Sequence, residues 1–283
     1  MNRYESLQDQ PPELGPAIRN NYFHGKLMDA YHFQMETDYH NAKRWLLNRM
    51  NLGWGVACGL NVLPVDGVKH SIRVTAGMAI DAWGREIIVP GDTNPIRIPR
   101  DVIAAASRGV SGMGLRGSPE SAEHKRHVDH SAAEAWVHVG LEYHECLQDP
   151  MPVLAGECGS AGCEAGTMRE WYKLVFIDSP SPRMMDFHCK IPDLLSSRDV
   201  KENAIIDWVT EQCPELPPDS YVPLANIRVR TGQQQHHDGQ DDSHHECRHD
   251  DIDIHIRPVA FTGALLYNMF LDQVEGWRKR TGR

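Results

Sequence analysis

Five residues, His245-Glu246-Cys247-Arg248-His249, fit the pattern H-E-x-x-H. On a helix that spacing sets two imidazoles one turn apart on the same face, where they hold zinc while the glutamate activates a water. The chemistry requires a rigid helix. Here the run lies in a polar stretch, residues 232–251, made of Gln, His, Asp, Gly and Ser. Nothing apolar anchors a helix on its N-terminal side, and Asp250 to Asp253 leads straight into a strand. A chance match inside a His-rich loop is the better account. His245 and His249 then remain as adventitious or structural metal ligands, and a zinc-dependent hydrolase acting on cell wall remains as an alternative function.

A second cluster is His144, Cys146, Cys158 and Cys163, soft ligands that could fix a zinc ion and order a loop, with Cys213 or Cys189 joining from elsewhere. The spacing is poor for a zinc site. The competing reading is that these thiols behave as small hydrophobes. A structural zinc, if present, is assigned to Cys146, Cys158, Cys163 and Cys213. The chain has no G-x-S-x-G elbow, no Gly-rich phosphate loop is expected in it, and its carboxylates form no isolated apolar pair suited to acid/base work. No residue is nominated as a catalyst or as a cofactor ligand, and the chain is expected not to be an enzyme.

The elements that would position these residues begin with an arm, residues 1–21, where Pro11, Pro12, Gly15 and Pro16 forbid a regular helix. Residues 29–52 follow an approximate helical period through Phe33, Met35, Tyr39, Ala42, Leu46, Leu47 and Met50. Asp29 is a candidate cap and Gly53 a stop. This helix has two readings: a core helix, or one whose surface is partly an assembly interface, since Tyr, Trp, Met and Arg favour interfaces. Tyr22, Phe23, His24, Tyr31, Phe33, Tyr39 and Trp54 are the candidate interface residues. Short strands are expected at 55–62, 71–75, 77–81, 86–89 and 95–99, with a turn at 82–85. A mobile loop is expected at 109–131, a strand at 135–143, a cysteine-bearing loop at 144–166, and a strand at 171–176. A helix is expected at 198–213, strands at 221–229 and 252–259, and a closing helix at 262–278 with one apolar stripe, Leu265, Leu266, Met269, Phe270, Val274 and Trp277. The fold class is therefore α+β: a long N-terminal helix, an antiparallel β core with inserted loops, and a C-terminal packing helix. The expected parts are an arm at 1–21, a helix with a small β module at 22–108, and a second β-rich part at 109–283.

A length of 283 residues suits one elaborated domain or two smaller ones. A net charge of −10 without a basic stripe argues against a nucleic-acid partner. Seven cysteines, an odd number, argue against a disulfide framework. No apolar run approaches the roughly 20 residues that cross a bilayer, and the opening lacks a secretory pattern, so the chain is expected to start in the cytoplasm.

The run Asn21-Tyr22-Phe23-His24-Gly25-Lys26-Leu27-Met28-Asp29-Ala30-Tyr31-His32-Phe33-Gln34-Met35-Glu36 continues through Tyr39-His40, Asn48-Arg49 and Gly53-Trp54-Gly55-Val56-Ala57-Cys58-Gly59-Leu60-Asn61-Val62. It resembles the opening of a group of proteins encoded with extracellular contractile injection systems and phage-tail-like particles. Val74-Thr75-Ala76-Gly77-Met78-Ala79-Ile80-Asp81 with Gly84-Arg85-Glu86-Ile87 is similar to the next block of that group. Cys158, Cys163, Arg169-Glu170, Cys213-Pro214, Val222-Pro223-Leu224-Ala225, Ile256-Arg257-Pro258 and Leu265-Leu266 resemble its later blocks more faintly. The likeness covers roughly two thirds of the chain, and the insert at 232–251 departs from it. The resemblance implies a structural subunit of such a particle at a baseplate, collar, cap or fibre-attachment position. Its partners would be other subunits of the same particle, as repeated copies or a homo-oligomer. It would be released by lysis, and its arm and first helix would lose flexibility on assembly. A module that binds a surface ligand such as a glycan is the third reading.

Overall fold

The computed structural model describes residues 17–113, 133–153, 163–182, 195–196, 199–200, 206, 210, 216–231 and 247–281. The body is an α+β arrangement of small antiparallel sheets with helices at its margins. Helix α1, Ala30–Leu52, opens where Asp29 accepts a hydrogen bond from the His32 amide at 3.2 Å. It ends at Gly53, whose φ of 71 only glycine adopts freely.

Two three-stranded sheets follow. One has the order β1 (Gly55–Gly59), β4 (Gly77–Ile80), β5 (Glu86–Val89); the other has the order β2 (Val62–Pro64), β3 (Ser71–Val74), β6 (Ile96–Arg97). The chain passes between them at Gly59-Leu60, both with positive φ, where a side chain on Gly59 would meet the Ala76 carbonyl. The larger sheet has the order β12 (Ile252–Asp253), β11 (Val222–Thr231), β7 (Ala133–Pro152), β8 (Cys163–Ile177). A short pair, β9 (Leu195–Ser196) and β10 (Asp199–Val200), stands apart. One apolar cluster draws on all of the larger parts: Leu60, Ile72, Val74, Ile87 and Ile98 meet Val137, Val139, Leu141, Leu224 and Ile227.

The structure departs from the sequence reading at five places, the first being the strand expected at 55–62, which breaks at Leu60-Asn61 into β1 and β2 of different sheets. Helix α2, Arg100–Met113, covers residues 100–108, where no element was expected, and the first residues of the loop expected at 109–131; it buries Ile103 and Ala106 against the core. Its start after Pro99 suits a first helical turn. The loop expected at 144–166 is largely strand, because β7 runs on to Pro152 and β8 begins at Cys163. The strand expected at 252–259 stops at Asp253, and the chain turns at 255–256 before an isolated bridge between Val56 and Val259. The expected C-terminal helix is present as α3, Gly263–Thr281, but most of its described apolar side chains stay exposed rather than packing on the body. The arm up to residue 16, most of the helix expected at 198–213 and the insert up to residue 246 lie outside the described residues.

Beyond Leu141 strand β11 no longer accompanies β7, so residues 142–152 and 163–173 form a two-stranded ribbon about 35 Å long. Both of its faces are largely exposed. That is why the stretch carries none of the apolar alternation that marks a half-buried strand.

Candidate assembly interface

The two long helices are rooted at one edge of the body. The Val56 amide donates to the Pro258 carbonyl at 2.8 Å, the Ala260 amide to Val56 at 3.1 Å, and the Phe261 amide to Leu52 at 2.8 Å. The last turn of α1 and the approach to α3 are thereby tied together. Gly55 permits this, since a Cβ there would lie 2.3 Å from the Pro258 carbonyl oxygen. Arg257 fixes the same segment by donating from Nε to the Leu224 carbonyl at 2.6 Å; burial lowers its pKa to about 10.

Helix α1 docks by polar contacts near its C-terminus. Asn48 donates to the Gly84 carbonyl at 2.8 Å and to Glu86 at 2.9 Å, and Arg49 donates to the Trp83 carbonyl at 2.6 Å. Arg44 lies 3.1 Å from Glu86. Trp45 is the helix's buried residue. The turn that receives it is held from below. Asp81 and Arg85 form a buried pair at 2.7 Å, and the guanidinium lies between the rings of Trp83 and Tyr143, at 4.5 and 4.7 Å from their centroids. Its Nη2 also donates to Ser220 Oγ at 2.6 Å. Burial raises the Asp81 carboxyl above its usual range, and the Arg85 charge opposes that shift. Asn48-Arg49 and Gly84-Arg85-Glu86, two segments that carry the family resemblance, thus act together to fix the direction of α1.

The rest of α1 stands away from the body. The reading of it as a core helix fails, because Tyr31, Phe33, Leu47 and Met50 are each more than half exposed. Tyr22 and Phe23 are 61% and 64% exposed, and His24 is exposed too. Tyr39 and Trp54 are half-buried. The segment before the helix is held by Lys26, which donates to Asn20 and, at 3.1 Å, to the Asn21 carbonyl.

Helix α3 is the part of the surface that sequence reasoning missed. Its stripe was expected to close the core. Instead Leu266, Tyr267, Met269, Phe270 and Leu271 are all exposed, continuing the exposed Val259 and Phe261 at its root. An apolar stripe signals that something must cover it; it does not say whether the cover belongs to the same chain.

The proposed metal ligands that are described, Cys146, Cys163 and His249, do not converge. The β7–β8 register sets Cys146 opposite Arg169 and Cys163 opposite Pro152, which separates the two cysteines by about 20 Å along the ribbon. They cannot share an ion. Cys158, Cys213 and His245 lie outside the described residues. His249 is exposed in a single helical turn, His249–Asp251, and Arg248 before it is extended at φ −110 and ψ 162. A continuous helix carrying both His245 and His249 is therefore excluded, because it would have to run through Arg248, so the helical geometry that H-E-x-x-H relies on is not present. Cys247 is buried, and burial followed by the Asp251 charge pushes its thiol up to about 11. Asp251 itself pairs with Arg228 at 3.0 Å. Among the described residues no group of three metal-ligating side chains comes together.

An open cleft of about 440 Å³ is lined by Pro64, Arg73, Asp92 and Thr93 among others. Thr93 accepts from the Val74 amide and Asp92 from the Ala76 amide, so both hold the loop in place. No helix among the described residues is long and apolar enough to cross a membrane.

No known family profile matches the chain, and no curated protein matches it. The chain is similar to a crystal structure of TssK. The TM-score is 0.31 and the identity 12%, over 75% of this chain. The chain spans 38% of the length of that protein, and the likeness is too distant to transfer a residue or a role.

Proposed function

We propose that the chain is a non-catalytic structural subunit of a contractile, phage-tail-like particle, at a baseplate, collar, cap or fibre-attachment position. One observation carries the reading as an assembly subunit: two long helices spring from one edge of the body and expose Tyr31, Phe33, Leu47 and Met50 on one and Leu266, Tyr267, Met269, Phe270 and Leu271 on the other. Exposed apolar area on that scale marks an interaction surface. The resemblance of residues 21–62 and 74–87 supplies the kind of particle. The subunit folds in the cytoplasm, joins the particle there and leaves the cell with it on lysis.

The test is sedimentation of gently lysed native cells, with mass spectrometry of the fast fraction. The chain is expected to pellet with sheath and tube proteins. Recovery only as a small species in the supernatant would overturn the reading. His245→Ala with Glu246→Ala is expected to leave incorporation unchanged.

A further inference from the structure

We infer that α1 is a self-association element, which pairs antiparallel with α1 of a second copy of this chain. The inference rests on the assembly reading and refines it by naming the partner of one of its two helices. Phe33, Glu36, His40, Lys43, Leu47 and Met50 recur at alternating steps of three and four residues. That spacing draws one continuous stripe along the helix, of the kind two helices use to pack together. Phe33, Leu47 and Met50 on it are 63%, 59% and 65% exposed. Lys43 is exposed, and the side chains of His40 and Glu36 are 69% and 30% exposed. The stripe avoids Trp45, Asn48 and Arg49, which hold the helix to the body.

Its order is self-complementary. Reading inward from either end, an apolar group gives way to one charge: Phe33 then Glu36 from one side, Met50 and Leu47 then Lys43 from the other. Two copies related by a dyad near His40, close to the middle of Ala30–Leu52, overlap along almost the whole helix, about 31 Å. In that register Phe33 meets Leu47 and Met50 of the second copy at both ends. Glu36 lies beside Lys43 of the second copy, twice, and the two His40 rings flank the dyad. A parallel pairing would instead set Glu36 against Glu36 and Lys43 against Lys43. The charges therefore choose the direction while the apolar ends supply the burial.

The experiment is sedimentation equilibrium of the full chain, purified as wild type, as Glu36→Lys and as Lys43→Glu. Wild type is expected to form a dimer of twice 32.0 kDa. Each reversal places like charges together at two symmetric contacts and is expected to weaken the dimer about tenfold or more. An equimolar mixture of the two variants restores both opposite-charge contacts and is expected to form a heterodimer close to wild-type strength. Restoration also guards against misfolding, since an unfolded variant would not pair. A wild-type chain that stays monomeric at tens of micromolar would overturn the pairing, as would reversals without effect or a mixture no tighter than its components. A chain that is monomeric alone yet pellets with the particle would sink the pairing and leave the assembly reading standing.

Discussion

At the scale of single residues, the most consequential group is Arg85. It carries an ion pair with Asp81, two ring contacts and a hydrogen bond to Ser220, all in a buried setting. Arg85→Met leaves Asp81 charged, buried and unpaired, which costs about 3–5 kcal/mol. Urea unfolding at pH 7 measures it, and a loss under about 1 kcal/mol would show that the pair matters little. His138 offers a second check. It is 2% exposed, its Nε2 has no hydrogen-bond partner among the described residues, and burial holds its pKa down at about 4 against the usual 6.5. The unfolded chain takes up the proton first, so stability is fully present above pH 6.5 and falls as pH drops toward 4. The slope is about 1.4 kcal/mol per pH unit in that window. His138→Met is expected to flatten it, as read from denaturation midpoints across the range. Neither residue was singled out in the sequence, because burial, which decides both, is not a local property.

At the scale of elements, the joint between α1 and the turn at 81–86 sets where the assembly helix points. Gly84 has φ +93, and a Cβ there would lie 2.1 Å from the Trp45 carbonyl oxygen. Gly84→Ala must therefore both strain the turn and push the helix away. The expected cost is at least about 1–2 kcal/mol, with faster hydrogen exchange in residues 44–52 than elsewhere. Uniform protection across the chain would mean the joint is not rigid in the way its hydrogen bonds suggest. The sequence foretold the helix, its Asp29 cap, its Gly53 stop and the turn, since periodicity and capping chemistry are local. It hid the β7–β8 ribbon, whose two faces are both wet, whereas α2 was legible in the recurrence of Ile103, Ala106, Val110 and Met113 at steps of three and four residues.

At the scale of the whole molecule, α3 poses the main question. Leu266→Ser with Met269→Ser and Phe270→Ser alters a surface already exposed. Thermal stability is expected to change by no more than about 1 kcal/mol, while recovery of the chain in the particle fraction falls several-fold. A large loss of stability would show instead that α3 closes onto the body in solution. Unchanged incorporation would assign the surface to something other than assembly.

The amino-acid sequence by itself determined the α+β class, both long helices and most short strands. Each follows from spacing along the chain. Tertiary structure decided what those spacings were for. It left one face of α1 and the described apolar side chains of α3 largely uncovered, drew Cys146 and Cys163 apart along one ribbon, and broke the H-E-x-x-H run at Arg248. It also brought Asn48-Arg49 onto Gly84 and Glu86, segments more than thirty residues apart in the chain. A stripe of apolar residues records a demand for burial, and only the packed chain shows which demands it meets itself and which it leaves to a neighbour.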